Sequence, residues 1–361
     1  MTIHTGAPGR TVQDHPLRRR VLGAVTALAA AVSAQLVATA PAATAAEDPL
    51  CTTSTSSSSW YSGPSASRRY DALTSKATSR PIPEGLLDGR YVPQGMAAVA
   101  NWDGTSEEIL LISAYKDANG NKDPDGDNGD RVASNASAIF GVVATGPRAG
   151  TGLGRMLIAT GHVGGLAVYR GYVYVGTEKT IRAYPLSTVR GALEGRDTSS
   201  VYGPRSVYQA SYTVGFLGSG DGNLWAGRFS ETENTKLNRY ALRSQATGTL
   251  SYVSQYFAPK KTQGVAVTSN RVFFSTSYGR NDRGNIWVMP RGVQTRTDAN
   301  SYCFRAPSMN EGVTTLGGRL WINYESGAYT YTHASDDPRN IVKRVHSASL
   351  SSVTALLGQA D

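Results

Sequence analysis

Short apolar runs alternate with turn residues along most of the chain, and one arrangement of them returns five times. The clearest copy is Gln263-Gly264-Val265-Ala266-Val267-Thr268-Ser269-Asn270-Arg271-Val272-Phe273-Phe274; the others begin at Gln94-Gly95-Met96-Ala97, Gly164-Gly165-Leu166-Ala167, Val214-Gly215-Phe216-Leu217 and Glu311-Gly312-Val313-Thr314. Each holds a small residue, a short apolar run, a turn pair and a second apolar run, which is the pattern of two antiparallel strands joined by a tight hairpin. The turn pairs are Asp103-Gly104, Arg170-Gly171, Asp221-Gly222, Ser269-Asn270 and Gly317-Gly318. Val214, Gln263 and Glu311 follow one another at steps of 49 and 48 residues, the spacing of propeller blades.

Each unit lays out as four strands. The innermost follows the Gly-bearing pair, and the second covers 109–113, 172–176, 224–227, 271–275 and 319–323. The third is clearest at 180–187, 236–242 and 342–350, and the fourth at 155–160, 207–212, 252–258 and 301–306. The fifth unit ends without a fourth strand, and Gly89-Arg90-Tyr91-Val92 fits the missing place. The expected fold is therefore an all-β propeller of five four-stranded blades, with six as the alternative, closed by an N-terminal strand that covers the open sheet edge. In such a ring, 86–361 is the propeller and 47–85 a Ser/Thr-rich spacer and lead-in, with a short helix around 70–76 ended by Pro81 and Pro83. Trp60-Tyr61 reads as a local anchor of the spacer on the globular body.

Composition changes this picture mainly at the N-terminus. Tyr outnumbers Phe 19 to 7 and Gly reaches 39, which suits many short strands with turns between them. Arg18-Arg19-Arg20 precedes an Ala-rich apolar run and a small-residue exit at Ala43-Thr44-Ala45-Ala46, the order of a removable secretion signal over 1–46. Arg18-Arg19 resembles the twin-arginine export motif, with Leu17 where a polar residue usually stands. Loss of that segment lowers the net charge from +9 to +6, spread without a basic run. Nucleic acid is thus excluded as a partner, no membrane span is expected after signal removal, and a secreted monomer is the expected state. In an oxidising compartment Cys51 and Cys303 favour a disulfide over two buried thiols.

Candidate chemistry collects where the fourth-to-first and second-to-third loops share one face. Gln94, Gln263 and Glu311 hold equivalent places at the mouth of the channel, either to bind a ligand or to satisfy neighbouring backbone groups. Asn310, Arg280 and Glu325 sit on the same face, and Tyr115, Tyr278 and Tyr324 at the ends of second strands offer rings for a sugar or a partner. If the protein is an enzyme, Glu311 is the candidate acid or base, with His162 the one histidine near this face; Glu325, Glu178 or Asp282 would supply the second carboxylate that glycoside hydrolysis needs. Asp117, Asn119, Asn121, Asp123, Asp125, Asp127 and Asp130 alternate oxygen ligands along a Gly-bearing loop. That spacing suits calcium, and it resembles the calcium loops of EF-hand and thrombospondin-type repeats, with Asn128 in place of the first Gly and Ser134 in place of the bidentate Glu. A solvated acidic insertion is the other reading. No nucleophile elbow, phosphate-cradling loop or Cys-x-x-Cys occurs.

The Gln-Gly-Val-Ala-Val and Arg-Leu-Trp-Ile units resemble the repeats of NHL and gluconolactonase-like propellers, across roughly residues 86–353. The resemblance implies a repeat style. Gluconolactonase-like enzymes hold a channel metal with an acidic residue and Asn/Asp partners; Glu311 matches the first, and no Asn or Asp matches the others. The leading expectation is a secreted propeller that binds extracellular glycan or protein through its loop-rich face. The alternative is an extracellular hydrolase or lyase acting on a carbohydrate or lactone at the channel mouth.

Overall fold

The protein is described from a computed structural model over residues 51, 53–54, 60–63, 65–83, 85–102, 104, 106–120, 135–195, 199–333 and 337–357. The signal-like segment 1–46 lies outside these residues, as does most of the acidic loop. Five antiparallel sheets make up the body. Blade one runs outward through Tyr91–Val99, Ile109–Lys116, Ser137–Val143 and Gly152–Ile158, with Val201–Tyr202 added in parallel at its rim. Blade two is Gly165–Tyr169, Tyr172–Thr177, Thr180–Pro185 and Ser206–Gln209; blade three is Phe216–Gly220, Asn223–Gly227, Thr235–Ser244 and Thr249–Ala258. Blade four is Thr262–Val267, Arg271–Thr276, Gly284–Pro290 and Tyr302–Ala306, and blade five is Asn310–Leu316, Arg319–Tyr324, Arg344–Ser349 and Arg80–Pro81. The five-bladed propeller expected from the repeat is the fold observed.

One reading needs correction. The strand that completes blade five is Arg80–Pro81, paired to Val345 and Arg344, and not Gly89-Arg90-Tyr91-Val92. Arg90 turns with φ 59°, and Tyr91 and Val92 begin the long innermost strand of blade one. Pro81 is tolerated because this is an edge strand, where its missing N–H faces no neighbour. Ring closure by an N-terminal segment holds, with a strand that begins nine residues earlier than expected. The short helix also starts earlier, at Arg68–Leu73, because the Ser67 hydroxyl accepts from the Tyr70 backbone N–H and caps it.

Each seam between neighbouring blades carries its own hydrophobic cluster. Val92, Leu111, Ile139, Leu166 and Val175 fill the seam of blades one and two, and Phe216, Trp225, Val265, Phe274 and Trp287 that of blades three and four. The innermost strands pack so closely that a Cβ on Gly95 would lie 2.5 Å from Leu166 N, and one on Gly312 2.3 Å from Met96 N. Only glycine fits where two backbones meet at that distance. Small polar residues at the ends of the second strands satisfy the loops of the next blade: Ser113 Oγ donates to Val163 O at 2.8 Å, and Ser277 Oγ to Asn310 O at 2.9 Å.

The lead-in crosses the seam of blades four and five. Cys51 is disulfide-bonded to Cys303 in the outer strand of blade four, and Arg305 Nε donates to Cys51 O at 2.7 Å. Tyr70 is fully buried, its hydroxyl shared with Tyr324 and lying 2.5 Å from His346 Nδ1, while Trp60 packs on the His346 ring at 4.0 Å.

Candidate functional site

Glu311 and Glu325 meet at the mouth of the ring because the chain breaks register beside the axis. In blades one, four and five the pairing of the first two strands slips at Gln94-Gly95, Gln263 and Glu311-Gly312 respectively. A slip inserts an unpaired residue and re-aims its side chain, so a polar residue can leave the strand's apolar alternation. Glu325 follows the second strand of blade five, its N–H held by Met309 O at 3.1 Å.

Gln94 joins blade one to this pair. Its Nε2 donates to Glu325 Oε2 at 3.1 Å and to Pro93 O at 3.0 Å, while its backbone carbonyl accepts from Asn323 Nδ2 at 3.0 Å. Tyr331 OH donates to the same Glu325 oxygen at 3.3 Å, and the Arg280 guanidinium lies 5.0 Å over the Tyr331 ring. Burial, and then the charge of Glu325, push Glu311 well above the usual carboxylate range. Burial also raises Glu325, to about 7, opposed by its hydrogen bonds from Gln94 and Tyr331 and by the charge of Arg280. Both shifts run upward, so the two carboxyls titrate as a coupled pair that resists carrying two charges.

The mouth is roofed. Ser326 to His333 turns over it through the short helix Tyr329–Thr332, and Ala328 and Tyr331 pack with Met309, Val163 and Tyr115. Glu311 is 2% exposed beneath this roof, whereas Glu325 keeps part of its surface open. Around the rim, exposed His162 stacks on Tyr115 at 5.1 Å, and Tyr329 stacks on His333 at 3.8 Å with the Arg90 guanidinium 4.6 Å from the Tyr329 ring. Tyr278, 44% exposed, contacts Phe229 and lies under Lys261 Nζ at 5.5 Å.

The structure thus brings Gln94, Glu311, Glu325, Arg280 and Tyr115 together, with His162 at the edge. Gln263 occupies the corresponding slip in blade four and makes no hydrogen bond to the pair. Asn310 is buried as the first residue of Glu311's own strand, donating to Ser275 Oγ and to Asn285 O. Tyr324 points away from the mouth, into the Tyr70 and His346 cluster. Tyr331 was not among the sequence candidates. Tyr-Thr-Tyr-Thr alternates like a strand and hides a helical turn, and only the length of the preceding loop pointed there.

Of the acidic loop, Asp117 and Asn119 are described; Asn121, Asp123, Asp125, Asp127 and Asp130 lie outside the described residues. Asp117 is buried, with Oδ1 accepting from Gly120 N at 2.9 Å and Oδ2 without a hydrogen-bond partner. Among the described residues no group of three His, Cys, Asp or Glu side chains converges as a metal site, and no helix is long and apolar enough to cross a membrane.

Five radial four-stranded sheets define the class: this is a β-propeller. No protein-family profile matches the chain, and no curated protein matches it. Solved structures similar to it include the PQQ-bound aldose sugar dehydrogenase of Streptomyces coelicolor, at 13% identity and a TM-score of 0.37, covering 74% of this chain and 96% of that one. Hydrazine synthase of Kuenenia stuttgartiensis aligns at 11% identity and a TM-score of 0.36, over 67% of this chain and 57% of that one. The WD40 domain of coronin from Toxoplasma gondii aligns at 10% identity and 0.33, over 69% and 56%.

Proposed function

We propose that the protein is a secreted propeller that binds carbohydrate at its loop-rich mouth. The observation that carries this reading is the roofed carboxyl pair: Glu325 is partly open and hydrogen-bonded by Gln94 and Tyr331, while Glu311 lies out of reach beneath it. A half-protonated carboxyl with an amide and a phenol beside it both donates and accepts hydrogen bonds, which matches the hydroxyls of a neutral sugar. His162, Tyr278 and Tyr329 on the rim add ring faces for its apolar sides. Export accords with the signal-like N-terminus and with the Cys51–Cys303 disulfide. Calcium would be held by the acidic loop from Asp117 onward, whose Oδ2 has no hydrogen-bond partner among the described residues.

Glycan microarray binding followed by calorimetry on the best ligand tests this reading. E325Q should weaken that ligand roughly tenfold, a charge-assisted hydrogen bond's worth. Array silence, or E325Q binding as the unaltered chain does, overturns it.

A second reading, hydrolysis or elimination on a carbohydrate or lactone, draws on the same pair. Burial and the charge of Glu325 raise Glu311 well above the usual carboxylate range and burial lifts Glu325 to about 7, the kind of tuning an acid and base pair needs. For Glu311 to reach a substrate, the 326–333 turn must lift. Turnover of chromogenic glycosides that disappears in E311Q supports this second reading, and turnover that survives removes it.

A further inference from the structure

Three arginines gather where the ring closes. Arg80 belongs to the closing strand, Arg319 opens the second strand of blade five, and Arg344 opens its third. Arg80 Nη1 and Arg344 Nη2 donate to the same oxygen, Ser79 O, at 3.1 and 2.8 Å. One residue away, Arg319 Nη2 donates to Thr78 Oγ1 at 2.9 Å and its Nε to Ser347 Oγ at 3.0 Å. Arg80 Nε is fixed in turn by Ala144 O at 2.6 Å.

Every one of these acceptors is neutral. No described carboxylate lies within salt-bridge distance of the three; the nearby Glu108 accepts from Thr145 Oγ1, and Glu107 is paired with Arg148. Arg344 Nε is buried without a hydrogen-bond partner, and Arg80 Nη2, Arg319 Nη1 and Arg344 Nη1 donate to no described group. Burial and the charge of Arg80 lower the proton affinity of both Arg319 and Arg344, so Arg80 repels each of the other two where they stand. Holding like charges together against neutral carbonyls costs stability that an anion would recover.

We propose that Arg80, Arg319 and Arg344 form a binding site for a tetrahedral oxyanion, a phosphate or sulfate group, at the closing seam of the propeller. Rigid guanidinium forks fixed by backbone carbonyls present unused N–H groups from three side chains, which suits a group with three or more acceptor oxygens better than a two-oxygen carboxylate. The group is either a free ion or an ester carried on a polymer. The site shares no residue with the Glu311 and Glu325 pair and does not depend on the reading given to the mouth.

Inorganic phosphate titrated into the disulfide-intact chain, with chloride keeping ionic strength constant, is the direct test. Saturable binding is expected, with R319Q and R344Q each weakening it about tenfold. R319K keeps the charge and loses the planar fork, and should weaken binding as well; it decides the matter if R344Q does not fold. R243Q, an exposed arginine elsewhere, serves as the control and should bind as the unaltered chain does. Retention on an immobilised phosphorylated or sulfated polysaccharide that free phosphate competes away assigns the ester, and binding of the free ion without retention assigns the ion. Phosphate acting no differently from chloride, or R319Q and R319K both binding normally, overturns the site.

Discussion

At the scale of single residues, two groups govern how the protein responds to pH and to substitution. Glu325 has its proton affinity raised to about 7, above that of a carboxyl in the unfolded chain. Between those two values the folded state binds more protons than the unfolded state, so stability is complete at low pH and falls as pH rises through 7. E325Q should therefore match the unaltered chain's thermal midpoint at pH 4 and exceed it by a few degrees at pH 8, as scanning calorimetry would read. An equal or lower midpoint at pH 8 contradicts the raised proton affinity of Glu325. Tyr70 is the second case. Y70F leaves Tyr324 and His346 facing a buried apolar edge and should cost about 2 kcal/mol in denaturant unfolding. These pairings join residues far apart in the chain, and no local pattern announces them. Glu311 was visible because the repeat put it in register with Gln94 and Gln263; Tyr331, outside any repeat, was not.

Among the elements, the innermost strands and the lead-in carry the architecture. G312A would place a Cβ 2.3 Å from a backbone nitrogen that has no room to retreat, and should cost about 3 kcal/mol or more, or prevent folding. G104A, at an open turn with nothing within 4 Å, should cost less, through its positive φ alone. The disulfide closes a separation of 252 residues, for which chain entropy allows at most about 5 kcal/mol. C51S should lower the midpoint and expose the 53–79 segment to limited proteolysis before the blades. Most strand positions were legible because turn pairs and small residues punctuate each unit. The closing strand was not, since Arg80–Pro81 is two residues long and contains a proline, while Gly89-Arg90-Tyr91-Val92 offers a better β pattern and sits in the right order. Ring closure depends on where the edge is reached, which propensity does not encode.

For the whole molecule, stability is a property of a closed circle. Each blade buries its faces only against its two neighbours, so a break at one seam exposes the clusters on both sides. A chain beginning at Tyr91 would lose Arg80–Pro81 and the helix that seals blades four and five, and size-exclusion chromatography should find it associated through the bared edge. A monomeric elution with an unchanged midpoint would show that the lead-in is dispensable. The arginine cluster belongs to this scale as well, because its members come from both ends of the sequence and exist as neighbours only once the circle is complete.

Across the axis, Cα atoms of inner strands from non-adjacent blades approach within 8 Å, which leaves no bore wide enough for a sugar ring. The mouth is consequently a blind cup and not a tunnel. Whatever settles on Glu325 must depart by the side it came from, and a long polymer can lie across the rim or present its tip, but never thread through.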